Sequence, residues 1–205
     1  MKKVIGLALL AAVSAPSAFA TSAEYFVGGG LGYHSANTKL SYEGYSLKND
    51  ASGAAFHVRG GVYLEENHRL TLTANFTGDN TIISNSYEDG DWLKAELAQT
   101  EWLASYDYVH SINNEFSVFG GVTAGFTKNK LTASGEEWGR AFNESGSETD
   151  LTLGAQAGVQ YKLTKNVSVD GTYRYMGTSW EEKESGLRAA VDNHSEFSIS
   201  LDYRF

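Results

Sequence analysis

The sequence predicts an all-β protein in which eight antiparallel strands close into a barrel that crosses a membrane. Three observations carry this. Apolar side chains recur at every second position over segments of about ten residues, the length of a tilted membrane-crossing strand. The connections between those segments alternate short and long. After the N-terminal segment there is no run of roughly 20 apolar residues, so a crossing of the bilayer falls to strands.

The first twenty residues, MKKVIGLALLAAVSAPSAFA, pair Lys2 and Lys3 with an apolar run and a small-residue end at Ala18-Phe19-Ala20. This pattern predicts a signal peptide over residues 1–20, with the barrel domain over 21–205. No cysteine occurs, and the only proline, Pro16, lies in the leader. An exported chain without disulfides or thiolate metal sites is expected. With 16 basic against 25 acidic residues and a formal net charge of −9, the chain argues against a nucleic-acid partner.

The strands follow in order. YFVGGGLGYH sets Tyr25, Val27, Leu31 and Tyr33 on one face, and AFHVRGGVYL sets Phe56, Val58, Val62 and Leu64. RLTLTANFT gives Leu70, Leu72, Ala74 and Phe76; TEWLASYDYV gives Trp102, Ala104, Tyr106 and Tyr108. The fifth, EFSVFGGVTAGF, aligns Phe116, Val118, Val122, Ala124 and Phe126, and the sixth runs from Leu151 to Leu163. The seventh carries Val167, Val169, Tyr173 and Tyr175, and the last, EFSISLDYRF, carries Phe197, Ile199, Leu201, Tyr203 and Phe205. Short connections (EENH, HSINN, TKN) follow strands two, four and six. Long ones are expected at about 35–53, 78–96, 128–150 and 177–193. Short turns on one side and long loops on the other describe an outer-membrane barrel, with both chain ends on the periplasmic side.

Alternation alone does not say which face meets lipid, since a soluble barrel has the same period. The polar face carries Gly28, Gly30, Gly32, Gly61, Gly121, Gly125, Gly154 and Gly158, and strand glycines mark close approach of neighbouring atoms, which a narrow interior needs. The apolar face has aromatic residues near both ends and aliphatic ones between, matching two interfaces around a hydrocarbon band.

The chain resembles the small eight-stranded outer-membrane β-barrels of Gram-negative bacteria, the OmpX-like and OmpA-transmembrane-domain-like group of porin-family proteins. YFVGGGLGY, the loop asymmetry and FSISLDYRF carry the resemblance, which covers the chain from about Ala23. It implies that Tyr203 and Phe205 form the signal read by the barrel-assembly machinery. It also implies outer-membrane lipid and lipopolysaccharide as surroundings, and no peptidoglycan-binding domain is expected after the barrel.

Within the lumen, buried charges must be paired. Arg59 and Arg174 with Glu101, Asp107 and Asp170 form the expected membrane-core network. A polar conduit for ions or small solutes is the alternative. No cofactor or metal set emerges, because the histidines at 34, 57, 68, 110 and 194 include no H-x-x-x-H pair. Catalysis finds little support. NHSEF places His194, Ser195 and Glu196 together, yet adjacent strand residues point to opposite faces, and the stretch lacks the His-x-Ser spacing of lipid A deacylase barrels.

Trp92, Trp138 and Trp180 each lie in an acidic long connection, and Tyr42 and Tyr45 lie in the first. Such aromatics can anchor an extracellular protein or surface ligand, or clamp hairpins that continue the barrel beyond the membrane. Lys39, Lys128, Lys130, Lys183 and Arg188 are candidates to meet lipopolysaccharide phosphates. The expectation is an outer-membrane barrel with a structural and surface-interaction role, adhesion or protection. A narrow channel is the runner-up and a lipid-modifying enzyme the third reading.

Overall fold

The computed structural model describes residues 22–42, 45–86, 92–137, 140–184 and 187–205. The expected signal peptide lies outside these residues. Eight strands account for nearly all of the rest: β1 (Ala23–Tyr42), β2 (Tyr45–Leu64), β3 (His68–Ser86), β4 (Trp92–Ser111), β5 (Phe116–Glu137), β6 (Arg140–Lys162), β7 (Val167–Glu184) and β8 (Leu187–Arg204). They pair antiparallel in sequence order, and β1 closes the ring against β8. Closure leaves no unpaired backbone edge in hydrocarbon.

Short turns join the strands at the end that holds the C-terminus, and their chemistry is local. The Asn113 side chain accepts the backbone N–H groups of Glu115 and Phe116 at 2.9 and 2.7 Å, and Thr164 Oγ1 accepts those of Asn166 and Val167. Both are side-chain mimics of a backbone turn.

The apolar face points outward. Val122 is 62% exposed, whereas Asp107 on the facing inner side is fully buried. Tyr33 and Phe197 are register partners, as are Phe56 and Phe76, and Trp102 and Phe126, so the outer aromatic girdle runs from strand to strand. Tyr25, Tyr161, Tyr203 and Phe205 form part of the inner girdle. Tyr25 and Tyr33 are eight residues apart, about 26 Å along a strand. Tilt reduces that to roughly 20 Å along the membrane normal, close to the apolar band of such barrels.

The inward glycines sit opposite large partners. Gly28 pairs with Asp202, Gly121 with Asp107 and Gly158 with Phe119. A Cβ at each would run into the partner side chain and into a backbone carbonyl of the neighbouring strand.

The strands are much longer than the ten-residue segments that alternation marks, reaching 23 residues in β6. Most of each expected long loop is paired strand. In the outer part of β6 alternation fades because both faces meet water, every residue from Arg140 to Thr149 being exposed. Above the girdle the ring divides. Pairing of β2 with β3 ends at Ala55 and Thr77, and that of β6 with β7 at Thr152 and Thr178. The other six pairings continue outward, some through bulges at Asn37/Thr38, Thr77/Asn80 and Gly177/Trp180. Two four-stranded sheets, β7-β8-β1-β2 and β3-β4-β5-β6, thus rise from one barrel.

Candidate functional site

The lumen is filled in layers. At the periplasmic end Phe26, Tyr63, Val109 and Phe119 make a buried apolar cluster, with the Phe26 and Tyr63 rings 5.4 Å apart. Arginines cover it. Arg204 lies 3.8 Å from the Tyr63 ring centroid and Arg69 lies 4.1 Å from that of Phe119.

Next comes a charged layer from opposite walls. Arg59 donates through Nε and Nη2 to the two oxygens of Asp202 at 2.8 and 2.6 Å, and its Nη2 reaches Asp170 at 2.9 Å. Arg69 bonds Asp107 through Nε and Nη2 at 3.0 and 2.9 Å, and Nη1 bonds Asp170. The Tyr63 hydroxyl accepts from Arg69 and from Gln160, which also donates to Asp170 at 2.8 Å. Fixed bidentate geometry suits arginine to such pairs.

Gln156 joins this layer to the one above. Its amide donates to Asp107 at 2.8 Å, while its carbonyl oxygen accepts from Arg174 Nε at 3.0 Å. In the upper layer Arg174 lies 3.7 Å from Glu196. The Asn75 amide donates to Glu101 at 2.8 Å and to Glu196 at 2.5 Å, and Thr127 donates to Glu101 at 3.2 Å. His194 Nε2 is 2.7 Å from Glu101 Oε1, and His34 Nδ1 is 3.9 Å from Glu196. His34, His194 and Glu101 each bring one potential metal-ligating atom to within 4.8 Å of the others.

Arg59, Glu101, Asp107, Asp170 and Arg174 therefore all face the lumen, but they do not form one cluster. Arg59 meets Asp170, Arg174 reaches Asp107 only through Gln156, and Glu101 is joined to His194 instead. Sequence reasoning passed over Arg69, the cation at the centre of the lower layer, and the apolar cluster beneath it. It also passed over the approach of His34 to His194, whose rings lie 4.9 Å apart across the β1–β8 seam.

In the NHSEF stretch, His194 and Glu196 are buried inward while Ser195 lies on the other face of β8. The three do not assemble as a hydrolytic triad. Of the interaction candidates, Trp92 is exposed at the start of β4, opposite Ser86 and Glu136. Tyr42 and Tyr45 are register partners at the ends of β1 and β2, and Trp180 pairs with Val191, but these three side chains lie outside what is described. Trp138 lies outside the described residues altogether. Tyr203 on β8 and Phe205 just past its end are both exposed, with rings stacked at 6.5 Å.

Solved structures share this architecture. OprG from Pseudomonas aeruginosa superposes with a TM-score of 0.52 at 12% identity, over 91% of this chain and 97% of that one. Neisserial surface protein A gives 0.49 at 19% identity, over 90% and 99%. Ail of Yersinia pestis, in complex with the heparin analogue sucrose octasulfate, gives 0.44 at 16%, over 87% and 99%. No curated protein matches in sequence. The outer membrane protein beta-barrel domain family matches residues 5–205. With eight strands closed into a ring, an apolar exterior and a charged interior, the chain belongs to that family and resides in the outer membrane.

Proposed function

We propose that this protein is a structural component of the outer membrane that engages an extracellular protein or surface ligand through the strands above its outer girdle. The observation that carries this reading is the division of the ring into two four-stranded sheets beyond the bilayer. A membrane-spanning strand needs only about 9–11 residues, so roughly half of each strand serves another purpose. The outer stretch of β6 is fully exposed and pairs on one side only among the described residues. Unpaired strand edges are natural docking sites for another chain, and Glu144 and Glu148 on this one guard against indiscriminate pairing. Lys128 and Lys130 stand above Phe126 on the same exposed face, which suits them to meet lipopolysaccharide phosphates.

The filled lumen disfavours the channel reading. Separated His194 and Ser195 side chains disfavour a hydrolase. Exchanging residues 36–53, 79–97, 128–150 and 178–192 for short turns tests the proposal: the barrel should still assemble, and binding of cells to host surface or matrix should be lost. Undiminished binding would refute it. Lys128→Glu with Lys130→Glu should weaken association with lipopolysaccharide micelles, and an unchanged association would remove that contact from the reading. The barrel-assembly machinery is the proposed partner in biogenesis. Deleting Phe205 should lower assembly in cells more than refolding into pure lipid, and equal effects would count against it.

A further inference from the structure

We propose that His34, His194 and Glu101 form a binding site for a divalent transition-metal cation of the zinc class in the outer part of the lumen. The barrel's closure builds the site. His34 on β1 faces Glu196 in the register, and His194 on β8 faces Ala36, so the two histidines are diagonal neighbours on the inner side of the seam. Glu101 reaches them from β4 on the opposite wall. The ligand atoms already lie within 4.8 Å of one another. A tetrahedral ion with bonds of 2.0–2.2 Å holds its ligands about 3.3 Å apart, so contraction by roughly 1–2 Å completes the set.

Two further observations point to a ligand. His34 is 1% exposed and neither ring nitrogen makes a well-formed hydrogen bond, with Gln99 offering no more than a weak contact. A buried polar group left unpaired costs about 1–3 kcal/mol, and the His194–Glu101 contact does nothing for it. The second is charge. In the upper layer, among the described residues, the two buried carboxylates Glu101 and Glu196 stand beside one guanidinium, Arg174. The excess of carboxylate there favours a bound cation.

The donor set selects the kind of ion. Two imidazoles and one carboxylate suit zinc and its neighbours rather than calcium or magnesium, which take oxygen ligands. Three protein ligands leave a fourth position for water. The surroundings orient the ligands: Asn75 and Thr127 donate to Glu101, and Glu196 stands beside His34. Such outer partners fix ligand rotamers. Bound there, the ion would tie the β1–β8 seam to β4, so its occupancy is linked to barrel stability.

The test uses the full barrel without an affinity tag, refolded in detergent micelles and stripped with a chelator. Zinc is titrated by calorimetry, and cobalt by its visible d–d absorption. One equivalent per chain is expected, with intense tetrahedral cobalt bands and a raised unfolding temperature. His34→Ala should lower affinity about tenfold or more, while His110→Ala, altering an exposed histidine, should not. Because His34 has at most a weak contact with Gln99 to lose, this variant should fold even where His194→Ala or Glu101→Gln does not. Absence of uptake by the folded chain, or uptake untouched by His34→Ala, would overturn the proposal.

Discussion

The guanidinium of Arg69 lies 4.1 Å from the centroid of the Phe119 ring. The same group bonds Asp107 and Asp170, so one side chain joins the apolar cluster at the periplasmic end to the charged layer above it. Replacing it leaves buried Asp107 with only the Gln156 amide and takes from Asp170 one of its two guanidiniums. Arg69→Met is therefore expected to destabilise the barrel by about 3–5 kcal/mol, the cost of breaking a buried pair from one side. Equilibrium urea unfolding in lipid vesicles measures this, and a loss under about 1 kcal/mol would show that the layer is not closed as described.

The lumen is narrow enough that glycine is required at particular registers. A Cβ on Gly121 would meet the Asp107 carboxylate and the Tyr106 carbonyl, whereas one on Gly120, facing outward, would come no closer than 3.8 Å to Gln156 O. Gly121→Ala should cut the folded fraction sharply and Gly120→Ala should leave it nearly unchanged. The gel-mobility difference between heated and unheated barrel reports both. Equal yields would mean that the interior has room to spare.

Lipid contact is tested at Val122, exposed in the middle of the band and flanked by Ala104, Tyr106 and Ala155 on the neighbouring strands. Val122→Arg is expected to cost about 2–4 kcal/mol. Glu144→Arg, on the wet extension of β6, should stay within about 0.5 kcal/mol. Refolding equilibria in vesicles give both numbers, and a cheap arginine at 122 would place that face outside hydrocarbon.

Much of this was legible in the sequence, and what was missed has physical reasons. Alternation marks which face is which wherever one side is lipid, and turn asymmetry orients the ends. Neither encodes register. Arg69 stands at the start of its strand beside a turn and reads as a periplasmic charge; only the β3–β4 pairing sets it opposite Asp107. The histidines at 34 and 194 are 160 positions apart in sequence and meet only because the ring closes. The apolar cluster did leave a signal: Tyr25-Phe26-Val27, Val62-Tyr63-Leu64, Tyr108-Val109 and Val118-Phe119 break the alternation near the periplasmic end of their strands. The outer stretch of β6 left none, because a strand wet on both faces has no apolar period to show.

Planar-bilayer recording of the refolded barrel tests the sealed lumen most directly. With Arg69, Asp107, Asp170 and Glu101 all 1% exposed or less, the native protein should give no reproducible unitary conductance across a wide voltage range. Steady ion-selective steps in the native barrel, altered in conductance or selectivity by Arg69→Met, would mean that the interior is a pathway and would contradict the account.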